Sequence, residues 1–340
     1  MKQVNWGILG DGDVCEHFAA ALDDIPEGEL VAVASGSLEK AAGLLKGKNQ
    51  VKVYHNYEQL IKDSNVDVIF IDIPIVYHKR VIELCIRYGK HVLCDKALTM
   101  NAKEAREIKK LAEGKDIMIV QADWFQFLPT TDRVMEWIKT ERIGQLKYVT
   151  INYGNQMELD VNKLDFSIEL GGGALLNMGG AAFSFVLKMM RMMPHTIQSS
   201  AYMGFTNVDE TNTTILSFID GTMVNVSTSI SIDFSQEAEF IGTKGKIVIP
   251  NFFLSSRAYL CDLDGVQLER VHESNAINGY EYEIRELSNR IMSAKFDDVK
   301  WNTLDEIIDV LEVMDAVRGQ WGLKYPSEEN EVVYGGNINE

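Results

Sequence analysis

The fold is decided by V-N-W-G-I-L-G-D-G-D-V-C-E-H-F-A-A, residues 4–20. Val4 to Leu9 is a short, mostly apolar run of the kind that makes a buried parallel strand. Gly10-Asp11-Gly12 is a tight turn, and from Asp13 the apolar residues Val14, Phe18, Ala19 and Leu22 recur at helical spacing. Strand, glycine turn and helix in that order make a phosphate cradle. Gly10 forms the turn, Gly12 lets backbone N–H groups approach a pyrophosphate, and the helix N-terminus adds favourable partial charge. The segment therefore opens a dinucleotide-binding fold. Two features depart from the usual pattern: Cys15 occupies the third small position, and Asp11 and Asp13 put carboxylates beside the expected phosphates.

Working outward, strand and helix alternate through the first third. Leu30 to Ala34 reads as a second buried strand, Leu38 to Leu45 as a helix, Val51 to Tyr54 as a short strand and Tyr57 to Lys62 as a helical turn or two. Val66 to Ile73 is a strand ended by Pro74, Tyr77 to Tyr88 an amphipathic helix stopped by Gly89, and Val92 to Cys94 a further strand. Asn101 and Glu104 have capping-box spacing for a helix that Gly114 ends, and Ile117 to Val120 closes the set. Such alternation implies right-handed βαβ units and a parallel sheet with helices on both faces.

The pattern changes after about residue 122, which divides the chain into a domain at 1–121 and another at 122–340. A helix near Arg133 to Lys139 leads into the strand I-G-Q-L-K-Y-V-T-I-N-Y. The triple glycine from Gly171 opens an apolar, methionine-rich helix running to Met193, whose methionines read as core filler. Hairpins follow at Thr211–Ile230, around Gly-Thr-Lys-Gly at 242–245, and around Asp264-Gly265. The run Asp262-x-Asp264-Gly265 lacks the downstream ligands of a calcium loop and reads as a turn. Alternating Ser and Thr on these strands fit an open, mainly antiparallel sheet with one semi-polar face. Two long helices, about Glu281 to Ala294 and Leu304 to Gly319, precede an acidic tail after Pro326. The expected fold class is an α/β Rossmann domain followed by an α+β domain.

Composition narrows the function classes. With 340 residues, 46% hydrophobic and 24% charged, the chain has the make-up of an ordinary globular protein. A formal charge of −17 argues against nucleic-acid and anionic membrane partners, which need clustered Lys and Arg. The apolar runs read as shorter than a membrane span, and the first strand begins too early for a signal peptide. Cys15, Cys85, Cys94 and Cys261 are scattered, which suggests a reduced, cytoplasmic protein with no metal site and no disulfide.

Several further motifs, in order, carry a resemblance. They are Pro74 to His78 ahead of a helix, G-K-H-V-L-C-D-K-A-L at 89–98, Q-A-D-W-F-Q-F-L-P at 121–129, G-G-G-A-L-L-N-M-G at 171–179 and G-T-K-G-K-I-V-I-P at 242–250. With the glycine turn they make the chain resemble the Gfo/Idh/MocA oxidoreductases, and most of all their dihydrodiol and xylose dehydrogenase branch. The resemblance implies NAD or NADP as cofactor and hydride transfer between nicotinamide and a sugar, polyol or vicinal diol. It also implies an open sheet that packs against a second subunit, making a homodimer. In the family, the Lys of a Glu-Lys-Pro segment supplies a cation. A Tyr or His four residues after the Asp of a Gly-Gly-Gly-Ala-Leu-Leu-Asp segment moves the proton.

Carried over residue by residue, the match is partial. Lys96 is present, but Asp95 stands for Glu and Ala97 for the Pro whose preceding bond is often cis. The expected outcome is a trans bond with a shifted Lys96, or a non-proline cis bond. Asn177 stands for the family Asp, Ala181 for the Tyr or His, and Gln126 for an Arg. Ala cannot move a proton, so the usual acid/base is missing. Asp123, at a cleft position that is normally apolar in the family and near Lys96, is the candidate base beside Lys96 as catalytic cation. The cofactor positions are Gly10, Asp11, Gly12, Asp13, Val14, Ser35, Gly36, Ser37, Ile73, Pro74, Ile75, His78, Asp95, Lys96, Trp124 and Gln126. Lys96, Tyr153, Asn177 and Ala181 are the substrate positions. Ser35-Gly36-Ser37, with Lys40 nearby, leaves NAD and NADP both open. The missing acid/base keeps a second reading in play, a nucleotide-binding sensor or regulatory protein without turnover.

Overall fold

The computed structural model describes residues 3–37, 40, 43–45, 50–273, 278–296 and 302–329. Much of the helix read at 38–45, and the tail from 330, lie outside the described residues. Two compact units form. One comprises Met1–Trp124, Ala276–Ile308 and Asn330–Glu340, and the other Phe125–Asn275 with Asp309–Glu329.

The first unit is built on a six-stranded parallel sheet. Its strands are β1 (Val4–Leu9), β2 (Gly28–Ala34), β3 (Lys52–Tyr54), β4 (Val68–Ile71), β5 (His91–Cys94) and β6 (Ile119–Gln121), in the order β3-β2-β1-β4-β5-β6. Helices α1 (Asp13–Asp23), α2 (Tyr57–Lys62), α3 (His78–Arg87) and α4 (Ala102–Ala112) connect them. Every residue of β4, β5 and β6 is buried, as expected of strands covered on both faces. The capping expectation at α4 is met with one change. Asn101 accepts from the Glu104 N–H at 2.9 Å, but the Glu104 carboxylate reaches back to the Met100 N–H.

The split at residue 121 differs from the observed units, because 276–308 returns to the first. Helix Tyr280–Ser293 docks there through an aromatic cluster: Phe18 stacks on Phe70 with ring centres 4.0 Å apart, and Tyr280 meets both edge-on. The Trp6 indole N–H donates to Ser288 Oγ at 3.3 Å. Truncating a fully buried ring such as Phe70 to Ala would cost about 3–5 kcal/mol, which explains why this helix leaves its neighbours in sequence.

The second unit carries an eight-stranded sheet ordered β14-β13-β12-β11-β7-β10-β9-β8. Its strands are β7 (Leu146–Gly154), β8 (Thr196–Met203), β9 (Asp209–Ser217), β10 (Met223–Ser229), β11 (Ala238–Gly242), β12 (Lys246–Ile249), β13 (Arg257–Cys261) and β14 (Gln267–His272). All pairs are antiparallel except β7 with β10. The Asp262 loop is a turn, its carboxylate accepting from the N–H groups of Asp264 and Val266.

The apolar helix after the triple glycine starts as a π turn at Leu175–Gly179 and continues as α-helix over Gly180–Met190. It ends at Met190, three residues before the expected Met193, and is capped by Arg191 in a left-handed conformation. The stretch Ile168–Met190 is long and apolar enough to span a bilayer, contrary to the sequence reading, but most of it is buried inside the protein. Asp209, wholly buried, anchors its start by accepting from the Leu175 N–H at 2.8 Å, and burial pushes its carboxyl up to about 7.

Candidate functional site

The glycine turn lies where the strand order reverses, between β1 and β4, the position at which ligands bind in open parallel sheets. Gly10 has φ +129°, and a Cβ there would fall 2.1 Å from the Asp72 carbonyl oxygen, so only glycine fits. Gly12 is the N-cap of α1 with no side-chain cap, and a Cβ would approach nothing nearer than Asp72 Oδ2 at 3.3 Å. Asp11 is turned aside: Ser35 Oγ donates to it at 2.5 Å and Lys40 Nζ lies 3.4 Å away. Its charge is therefore compensated. Asp13 and Gly36 are exposed, Val14 and Ser37 half-buried, and Ser35 is buried and accepts from the Ser37 N–H. The turn and helix start fit a dinucleotide, with Asp72 the one discordant group. Its carboxylate accepts a hydrogen bond from the Cys15 thiol at 3.2 Å, and burial, then Asp95, push it up to about 6.

Asp95 and Lys96 leave the carboxyl end of β5, and the Lys96–Ala97 peptide is cis. Lys96 Nζ sits 5.2 Å from the centre of the Trp124 ring and 3.7 Å from Asp95 Oδ1. The Lys96 and Asp95 side chains are 12% and 19% exposed, so the cation is sheltered but reachable. His78 braces this segment. Its ring nitrogens lie 2.8 Å from the Ile73 carbonyl and 3.0 Å from that of Ala97, joining the exits of β4 and β5. Burial lowers its pKa, against the two carbonyls, which raise it; a neutral ring, with one N–H, donates to one of them. Ile73 and Pro74 are half-buried beside it, and Ile75 is buried.

Gln121 ties the next strand to the same place. Its carbonyl oxygen Oε1 accepts from the Leu98 N–H at 2.8 Å and its amide donates to Asp123 Oδ2 at 2.9 Å. Asp123 is wholly buried, not at a cleft surface as its motif position suggested. Trp124, buried, meets Tyr280 edge-on with ring centres 4.5 Å apart, and Gly279 closes on its edge. Tyr280 and the buried Glu283 on the same helix were not found from sequence. Acids in an amphipathic helix read as solvent-facing, and no local signal marks this one as an exception. Among the described residues no group of three or more His, Cys, Asp or Glu is arranged to hold a metal ion.

The remaining sequence candidates belong to the second unit. Gln126 is buried there, its amide donating to Ser184 at 3.0 Å and its oxygen accepting from Lys188 at 3.2 Å. Tyr153 is also buried, packed against the rings of Phe252 and Phe253. Asn177 donates to the Gly173 carbonyl within the π turn, and Ala181 is wholly buried.

A parallel sheet with a glycine turn at its switch point and a lysine at the neighbouring strand exit defines a nicotinamide-dinucleotide-binding oxidoreductase fold. Residues 4–122 match the model of an oxidoreductase family with an NAD-binding Rossmann fold, and residues 131–248 match the GFO/IDH/MocA C-terminal domain. A trans-1,2-dihydrobenzene-1,2-diol dehydrogenase from Sus scrofa is 30% identical over 71% of this chain and 72% of its own length. Another from Xenopus laevis is 28% identical over 94% of this chain and 99% of its own. The chain belongs to the GFO/IDH/MocA oxidoreductase family. Among solved structures, KijD10, a 3-ketoreductase from Actinomadura kijaniata in complex with NADP and TDP-benzene, superposes with a TM-score of 0.83. The match covers 94% of this chain and 98% of that one at 18% identity. An aldose–aldose oxidoreductase from Caulobacter crescentus gives the same score and identity over 95% and 99%.

Proposed function

We propose that the protein oxidises or reduces a sugar, polyol or vicinal diol, with NAD or NADP as hydride partner. The observation that carries this reading is Lys96, held at a strand exit over Trp124 and beside Asp95, next to a glycine turn shaped for a dinucleotide. The vicinal-diol chemistry in the names of the curated relatives supports the substrate class.

The bound nicotinamide supplies a hydride donor or acceptor, and the chain does the rest. Lys96 presents an ammonium to the substrate oxygen, which favours developing alkoxide. His78 and Gln121 fix the segment carrying it through the Ile73, Ala97 and Leu98 backbone. Asp123 is the base assigned in place of the missing Tyr or His, acting behind Lys96. Asn177 and Tyr153 are assigned to the substrate, and Ala181 leaves room without chemistry. A homodimer through the open sheet belongs to the same reading, since Tyr148, Ile215 and Met223 are exposed on its strands.

The test is titration with NAD, NADH, NADP and NADPH, followed by turnover of trans-1,2-dihydrobenzene-1,2-diol, D-xylose, D-glucose and myo-inositol. Binding with steady NAD(P)H production is expected. Binding without reduction of cofactor by any of these would favour a non-catalytic sensor. No binding of any nucleotide would overturn both.

A further inference from the structure

Glu283 is wholly buried, and neither carboxyl oxygen has a hydrogen-bond partner among the described residues. It stands three residues after Tyr280, on the same helix face, and Tyr280 packs on the Trp124 ring that also carries Lys96. The charged groups facing it are Asp123 from the β6 exit, and Asp95 and Lys96 from the β5 exit, with Tyr280 its titratable neighbour on the helix. An ionised carboxylate is strongly disfavoured in such a place, wholly buried, without hydrogen bonds from the described residues and with two carboxylates near it. Burial first, then Asp123 and Asp95, hold its pKa well above the usual carboxylate range. Burial and the lack of a partner dispose the side chain to stay a carboxylic acid with a transferable proton, set behind the Lys96 cation.

We propose that Glu283 is the proton store behind Lys96, recharging it through Asp123 during turnover. The proposal rests on the oxidoreductase reading above. In the reducing direction, Lys96 gives one ammonium proton to the substrate oxygen as hydride reaches the carbonyl carbon, leaving an amine and a hydroxyl. The Glu283 O–H bond then breaks. Its proton passes to the Asp123 carboxylate when rotation of the Glu283 side chain brings the two into hydrogen-bonding contact, and an N–H bond re-forms on Lys96. Glu283, now a carboxylate, regains a proton along the same route, solvent supplying it through the partly exposed Lys96. In the oxidising direction each transfer is reversed. This supplies the proton traffic that Ala181 cannot, from a helix distant in sequence.

The test compares wild type with E283Q, which keeps shape and neutrality but has no acidic proton, and with E283D, which keeps the acid. In E283Q, kcat falls about tenfold or more with KM and nucleotide affinity retained, and the alkaline limb of the kcat profile disappears. E283D recovers part of the rate. The infrared spectrum of wild type minus that of E283Q shows a buried carboxylic-acid carbonyl band at neutral pH, free of the contribution that Asp209 makes to both proteins, a readout that needs no turnover. An E283Q enzyme with wild-type kcat and pH profile overturns the proposal alone, as does a difference spectrum lacking that band. Wild type inactive on every diol and sugar overturns the oxidoreductase reading and this proposal together.

Discussion

Asp72 shows how one side chain sets the terms for cofactor binding. Its carboxyl lies under the glycine turn, accepts a hydrogen bond from the Cys15 thiol and faces Asp95 and Lys96 across the strand exits. Above about 6 it is ionised at a helix start that would otherwise favour phosphate. As pH falls through that value the charge is lost, so wild-type affinity for NADPH or NADH should strengthen. D72N should bind about tenfold tighter than wild type near pH 8, with little pH dependence of its own, measured by fluorescence titration. A D72N affinity that tracks wild type across pH would remove Asp72 from the binding site. Sequence reading singled out Lys96 because it matches the lysine of the Glu-Lys-Pro segment in the family the chain resembles. It passed over Asp72, Tyr280 and Glu283, whose significance comes from neighbours contributed by other strands and by a helix far along the chain.

At the scale of elements, the strand–turn–helix at 4–20 was legible because its periods and glycines are local. The two glycines nevertheless do different work. Gly10 has no room for a side chain against the Asp72 carbonyl, whereas a methyl at Gly12 meets only the tip of the Asp72 carboxylate. G10A should therefore fail to fold or lose several kcal/mol, on the order of the largest single-substitution effects. G12A should melt close to wild type yet bind dinucleotide about tenfold more weakly, because the methyl intrudes on the backbone that approaches pyrophosphate. Thermal melting with nucleotide titration separates the two. The π turn at Leu175–Gly179 and the parallel pairing of β7 with β10 were not legible, since both depend on contacts made across the unit. The helix stop before Arg191 was misjudged because the apolar, methionine-rich run continues to Met193, and a non-glycine left-handed cap leaves little trace in sequence.

The whole molecule is two units, each with its own sheet, and the chain is not divided between them in one cut. Repeated alternation of strand and helix made the first unit readable. The return of Tyr280–Ser293 to it was hidden, because an amphipathic helix does not announce which apolar surface it will cover. The outer face of the second sheet carries Tyr148, Ile215 and Met223 among Ser and Thr residues, with Thr213 and Ser227 hydrogen-bonded across β9 and β10. If that face joins two subunits, I215D combined with M223D should shift sedimentation from dimer to monomer while leaving the melting of each unit's core intact. A wild-type protein that sediments as a monomer would contradict it. The account as a whole turns on Lys96. Its most direct test is NAD(P)H production from trans-1,2-dihydrobenzene-1,2-diol and D-xylose by wild type and Lys96→Met at matched nucleotide saturation. Steady production by wild type and a loss of about 100-fold or more in the variant is the predicted result. Equal rates in the two proteins, or nucleotide binding with no reduction by wild type, would contradict it.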